Sequence, residues 1–147
     1  MDYRSVETAP LMYLITGLGF VLGAAVALMG DDLGGGRWWL LGAGVLLVLV
    51  GAIAARLTVV VDDAAVTSAF GWGWPRLRIE LAEIDTTAAV HNSWWYGWGL
   101  RKVPGGWMFN NSGRDAVELT LRSGKVFRIG TDQPDELLAA LERAHTA

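Results

Sequence analysis

The residues of this 147-residue chain best suited to chemistry cluster between His91 and Trp107. Residues 92 to 107 read NSWWYGWGLRKVPGGW, which puts four tryptophans, four glycines and the Arg101-Lys102 pair into one short stretch. Tryptophan carries a wide apolar face and a single polar N–H. Such a cluster can therefore stack on a ligand, wedge among lipid headgroups, grip a partner or pack a core. His91 and Ser93 fall close together in HNS (91–93), at the end of a segment read as a strand, and they are not read as a working pair. His91 is accordingly read as structural, and a structure placing it beside a carboxylate in an open cleft would restore a catalytic reading.

Other chemistry is thinly supplied. The chain has no cysteine, which removes disulfides, thiolate nucleophiles and Cys-based metal sites. His91 and His145 are its only histidines, too few at unsuitable spacing for a metal set, so no cofactor is expected. Asp31-Asp32 and Asp62-Asp63 read as turns, which do not give paired carboxylates a shared cleft. The stretch GWGLRK looks like a phosphate loop, but no helix follows to aim its N–H groups. VPGG (103–106) and NNS (110–112) read as turns. The sequence is thus read as non-catalytic. A net charge of −3 supplies no basic field for nucleic acid, and none is expected as a partner.

The elements that must position the tryptophans divide sharply. The hydrophobic share is 52%, and the charged residues are concentrated from Arg56 onward. Leu11 to Met29 and Trp38 to Ala55 contain no charged residue. At 1.5 Å per residue the first run makes a helix about 28 Å long, close to the thickness of a bilayer core. The Gly-rich loop between them predicts an antiparallel transmembrane hairpin over 11–55, with Trp38 and Trp39 at an interface. A cleaved signal peptide ending at Ala25-Val26-Ala27 is the rival, weakened by a leader that is not positively charged and an apolar run that continues past that point. Gly19 with Gly23, and Gly51 with Ala55, supply small residues for close packing in lipid. The positive flank charges put both termini on the cytoplasmic side of the cell membrane. Residues 1–10 are left as a tail.

Beyond Arg56 the period shortens. Strands are expected at 57–62, 65–70, 76–81, 86–92, 116–121 and 125–129, the last two as a hairpin. TDQPDELLAALERAHT ends the chain as a helix over 133–145, with Asp132 as N-cap, Pro134 in the first turn, and Leu137, Leu138, Leu141 and Ala144 on one face.

The two-helix anchor, WPRLRIELAEI (74–84) and GRDAVELTLRSGKVFRIGTDQPDELLAAL (113–141) together resemble membrane-anchored bacterial proteins with pleckstrin-homology-like domains. The resemblance implies a bent, near-closed barrel of about seven strands capped by the C-terminal helix, over residues 56–147. In eukaryotic relatives a basic pattern at the first hairpin grips phosphoinositides, whereas this chain carries Asp62 and Asp63 there.

An up-and-down strand order would carry the tryptophans to one end. The second span runs straight into the first strand, so the 71–75 and 92–99 loops should both lie on the membrane side. Trp72, Trp74, Arg76, Arg78, Trp94, Trp95, Trp98, Arg101 and Lys102 would then form a collar facing the bilayer, with anionic headgroups as its partners. The competing expectation is that about half of the rings fill the barrel or cover its edge. The sequence is read as a membrane-anchored binding or scaffold module whose outer surface takes a protein partner or a second copy. Its alternatives are an accessory subunit recognised through its transmembrane helices, and a barrel for a sugar or small hydrophobic ligand. That last reading suffers from the lack of amides or carboxylates to orient a polar ligand.

Overall fold

Two uncharged runs and an alternating β-rich segment produce two compact units in the computed structural model, which describes residues 3–29, 34–111 and 113–146. One unit comprises 9–55, and the other joins 1–8 to 56–147. The expected turns at Asp31-Asp32 and at Asn110 to Ser112 fall wholly or partly outside the described residues.

The first unit is the hairpin of α1 (Pro10–Met29) and α2 (Gly36–Ala54). Both helices are long and apolar enough to cross a membrane, and only 11% of each apolar window is buried. Leu14, Phe20, Val21, Leu28 and Leu46 point outward, each more than 60% exposed. A helix apolar on every side and left uncovered is built for an apolar solvent. Glycines bring the two helices together: a Cβ on Gly19 would lie 2.7 Å from the Gly44 carbonyl oxygen and 2.9 Å from Val48 Cγ2. A Cβ on Gly51 would overlap the Thr16 hydroxyl, which itself donates to the Met12 carbonyl at 2.9 Å. By contrast, a Cβ on Gly23 would meet nothing within 4 Å. At the start of α2, Arg37 lies 4.9 Å from the Trp38 ring centroid.

The second unit holds nine strands among the described residues. The first sheet is an antiparallel meander of β1 (Tyr3–Thr8), β2 (Arg56–Val61), β3 (Ala65–Phe70) and β4 (Arg76–Glu80). The second contains β5 (Ile84–His91), β6 (Gly99–Val103), β7 (Gly106–Asn110), β8 (Asp115–Leu121) and β9 (Val126–Gly130), in the order β5-β8-β9-β7-β6. These are two open sheets rather than a closed barrel, and nine strands rather than about seven.

The three unforeseen strands have physical explanations. β1 turns Glu7 inward and leaves Val6 48% exposed, the reverse of an apolar pattern. It is nevertheless in full register with β2, from Tyr3 opposite Val61 to Thr8 opposite Arg56, so the expected tail is an edge strand. Its buried carboxylate is satisfied by hydrogen bonds: Glu7 Oε1 accepts from Ser5 Oγ at 3.0 Å, Thr131 Oγ1 at 3.0 Å and the Asp132 N–H at 3.3 Å. The Glu7 carbonyl accepts from Asn111 Nδ2 at 2.8 Å. β6 and β7 form a hairpin around Pro104-Gly105, with Gly105 at φ +82°, the conformation a Pro-Gly turn demands. This hairpin adds to the sheet through a parallel β7–β9 pairing, and Gly106 permits the close approach because a Cβ there would collide with the Val126 carbonyl.

α3 (Pro134–Thr146) packs on this unit through Leu137, Ala140 and Leu141, all buried. Burying each leucine contributes about 1.5–3 kcal/mol. The Leu137 N–H donates to the Gln133 carbonyl at 3.1 Å, so Gln133 rather than Asp132 takes the N-cap position. Leu57, Val59, Val61, Val117, Leu119 and Ile129 complete the core.

Candidate functional site

Strand direction decides where the tryptophans go. Thr8 and Arg56, where the β unit continues into the apolar segment, face each other across β1 and β2. The 71–75 loop closes on that same end: the Gly71 N–H donates to the Arg56 carbonyl at 2.9 Å, and the Phe70 N–H to the Pro75 carbonyl at 3.0 Å. Gly73 sits at φ +103°, a conformation that only glycine adopts easily. Trp72 and Trp74 thereby stand outward, 86% and 75% exposed.

The second sheet brings its own loops to this end. Phe109 of β7 stacks on Phe70 with centroids 5.6 Å apart, and Asn111 and Thr131 reach the Glu7 beside Thr8. β5 arrives there at His91, and a single helical turn at Trp94–Tyr96 follows. Trp94 and Trp95 meet edge to face at 5.6 Å and are 74% and 69% exposed, while Trp98 is 44% exposed. Trp107 is 44% exposed as well, so none of the six indoles of the β unit is buried. Of the expectation that about half of the rings fill the barrel or cover its edge, the filling is corrected: aliphatic side chains with Phe70, Phe109 and Met108 fill the core instead.

The basic residues separate. Arg76 starts β4 at the tryptophan end and is exposed. Arg78 instead turns its guanidinium to Asp62, at 3.6 Å, beyond the opposite end of β2. The Asp62 carboxyl accepts the N–H groups of Ala64 and Ala65 at 2.8 and 2.7 Å, which hold it below its ordinary pKa of 3.8. This aspartate is engaged in the turn. Arg101 Nε donates to the Trp98 carbonyl at 3.2 Å, and Lys102 is exposed on β6 opposite Trp107. On β1, burial pushes the Tyr3 phenol above its ordinary value.

Beneath the 92–98 loop lies a cavity of about 500 Å³, formed with Asn110, Gly113 and Arg114 and lined also by Asn92, Ser93, Trp94 and Trp98. Of these residues, the sequence singles out the two tryptophans, Ser93 as a neighbour of His91, and Asn110 as part of a turn. Asn110 ties the loops together, its Nδ2 donating to the carbonyls of Gly97 and Gly113, both at 3.3 Å. Asn92 is fixed at its backbone, where its N–H donates to the Arg114 carbonyl at 2.7 Å, and at Oδ1, which accepts from Arg128 at 3.0 Å. Arg128 also binds Glu118 at 2.7 Å and lies 6.0 Å from the Tyr96 ring centroid. An Asn between a strand end and a turn residue was the only available signal, and it is a weak one.

His91 does stand beside a carboxylate, with Nδ1 2.7 Å from Asp115 Oδ1 across β5 and β8. Both side chains are more than half exposed, and neither lines the cavity. An exposed cross-strand pair of this kind contributes about 0.2–1 kcal/mol. Among the described residues no group of three His, Asp or Glu side chains converges to hold a metal ion. No protein-family model matches the chain, and no curated protein is significantly similar to it in sequence.

Proposed function

We propose that this chain is a membrane-anchored, non-catalytic binding module. Its apolar hairpin spans the membrane, and its β unit works at the cytoplasmic surface with a tryptophan collar among the headgroups. The β unit is read as a pleckstrin-homology-like domain, opened into two sheets and extended by β1 and the β6–β7 hairpin.

The observation that carries this reading is the shared position of five exposed indoles. Trp72, Trp74, Trp94, Trp95 and Trp98 stand on loops at the end of the β unit where Thr8 and Arg56 lead into apolar helices. Indoles favour the headgroup layer because the ring leaves water while its N–H stays hydrated. Arg76 and Arg101 sit at the same end, and each basic side chain beside an anionic surface contributes about 1 kcal/mol. Arg78, bound to Asp62, takes no part. The outer sheet surfaces remain for a protein partner or a second copy.

The test uses the β unit without its anchor. Removing residues 1–55 would delete β1, so the cut must be made elsewhere. The Ala9 N–H donates to the Ala55 carbonyl at 3.0 Å, one position past the Thr8–Arg56 pair. Replacing 10–54 by Asn-Gly, the preferred two-residue hairpin turn, keeps β1 paired with β2. This protein should co-sediment with anionic vesicles, more weakly at high salt and not at all when Trp72, Trp74, Trp94, Trp95 and Trp98 are all alanine. A folded protein that ignores vesicles would overturn the collar.

A second reading, an accessory subunit recognised through its helices, is favoured by one feature. An apolar groove of about 390 Å³ runs past Gly23, Ala24 and Val45 on the hairpin surface.

A further inference from the structure

The cavity beneath the 92–98 loop has a chemical polarity of its own. Its walls are the indoles of Trp94 and Trp98, and its volume suits a small ligand. Its polar groups are chiefly donors. Asn92 is 2% exposed, and its Nδ2 has no hydrogen-bond partner. The amide cannot simply turn over, because Oδ1 is committed as acceptor to the Arg128 guanidinium. A buried amide N–H left without an acceptor is costly, and native proteins keep few of them. Ser93 adds a hydroxyl and Arg114 an exposed guanidinium. The carbonyls of Gly97 and Gly113, which could have offered acceptors, already receive Asn110 Nδ2. Asn110 Oδ1 is also without a partner, but it packs against the α-carbon side of Gly130, where a Cβ would collide with it, and serves the β7–β9 contact.

We propose that this cavity binds the phosphate head of an amphiphile, with the adjoining apolar part against Trp94 and Trp98. A phosphodiester brings two non-bridging oxygens and no donor, which complements Asn92 Nδ2, the Ser93 hydroxyl and the Arg114 guanidinium. Asp132 Oδ1 lies close to Gly113, so the rim is not uniformly positive and the donor geometry, more than net charge, selects the head. The site lies at the tryptophan-bearing end, so the proposal rests on the collar reading and deepens it: one lipid is held specifically while the outer indoles rest among many.

The test titrates the full chain in maltoside micelles with dihexanoylphosphatidylglycerol, following the indole N–H resonances of Trp94 and Trp98. Dihexanoylglycerol lacks the phosphate and inorganic phosphate lacks the apolar part, and each should bind at least about tenfold more weakly. Asn92→Asp keeps an acceptor for Arg128 but replaces the donor with a negative oxygen. It should weaken the phospholipid at least about tenfold while the remaining spectrum and the melting temperature hold. Arg114→Gln, at an exposed position, should weaken it several-fold and gives a readout even if Asn92→Asp unfolds the loop. Equal binding of dihexanoylglycerol, or wild-type affinity in both variants, would overturn the proposal. Inorganic phosphate binding as tightly as the lipid would replace it with a free-phosphate site. Trp72 and Trp74 lie outside the cavity, so loss of vesicle association on changing them concerns the collar alone.

Discussion

Glu7 shows how a single residue can be decisive and still invisible in a sequence. It is 6% exposed and collects hydrogen bonds from Ser5, Thr131 and the Asp132 backbone, residues far apart in the chain. Local pattern makes Glu7 a charged flank of an apolar run, because two of the three groups that satisfy it, on Thr131 and Asp132, lie more than a hundred positions away. Glu7→Ala would leave those donors buried and unmet, a loss of about 1–3 kcal/mol in unfolding free energy by chemical denaturation of the β unit. Glu7→Gln, which retains an accepting oxygen, should lose less. The same blindness hid Asn92 and Asn110, whose roles depend on Arg128 and on the Gly97 and Gly113 carbonyls. The tryptophans were legible as a type and a cluster, and only strand direction brings their two loops to one end.

Among the elements, those built on local signals were readable. α1, α2 and α3 follow from uncharged length or amphipathic spacing, β4, β8 and β9 from alternation, and β2, β3 and β5 from β-rich runs set between turns and short connections. β1 failed that logic because its polar side chains turn inward, and β6 because three of its five residues are exposed in a row. The parallel pairing of β7 with β9 was equally hidden, a long-range choice that Gly106 permits. The helical hairpin carries a prediction of its own. Gly19 sits against Gly44 and Val48, so Gly19→Leu should separate α1 from α2 and lower the stability of the detergent-solubilised protein by about 1–3 kcal/mol. Gly23→Leu faces open space and should leave the melting temperature nearly unchanged. A Gly19 variant therefore cannot test association with other chains, since its first effect falls on the hairpin. Gly23 is the position that can.

At the scale of the whole molecule, the chain passes between its two units twice, after Thr8 and before Arg56, and these residues are neighbours at one end of one sheet. Both tryptophan loops lie at that end, while the Asp62 turn lies at the other. The absence of cysteine makes this arrangement directly measurable, because a single introduced cysteine accepts a spin label without competition. The full chain, reconstituted in anionic bilayers, would carry a nitroxide at position 72 or 95 in one set and at 63 or 123 in the other. Power-saturation accessibility to oxygen and to a water-soluble nickel complex then reports depth. Labels at 72 and 95 should lie in the headgroup layer, shielded from nickel, and labels at 63 and 123 in water. Labels at 72 and 95 as open to nickel as those at 63 and 123 would contradict the collar.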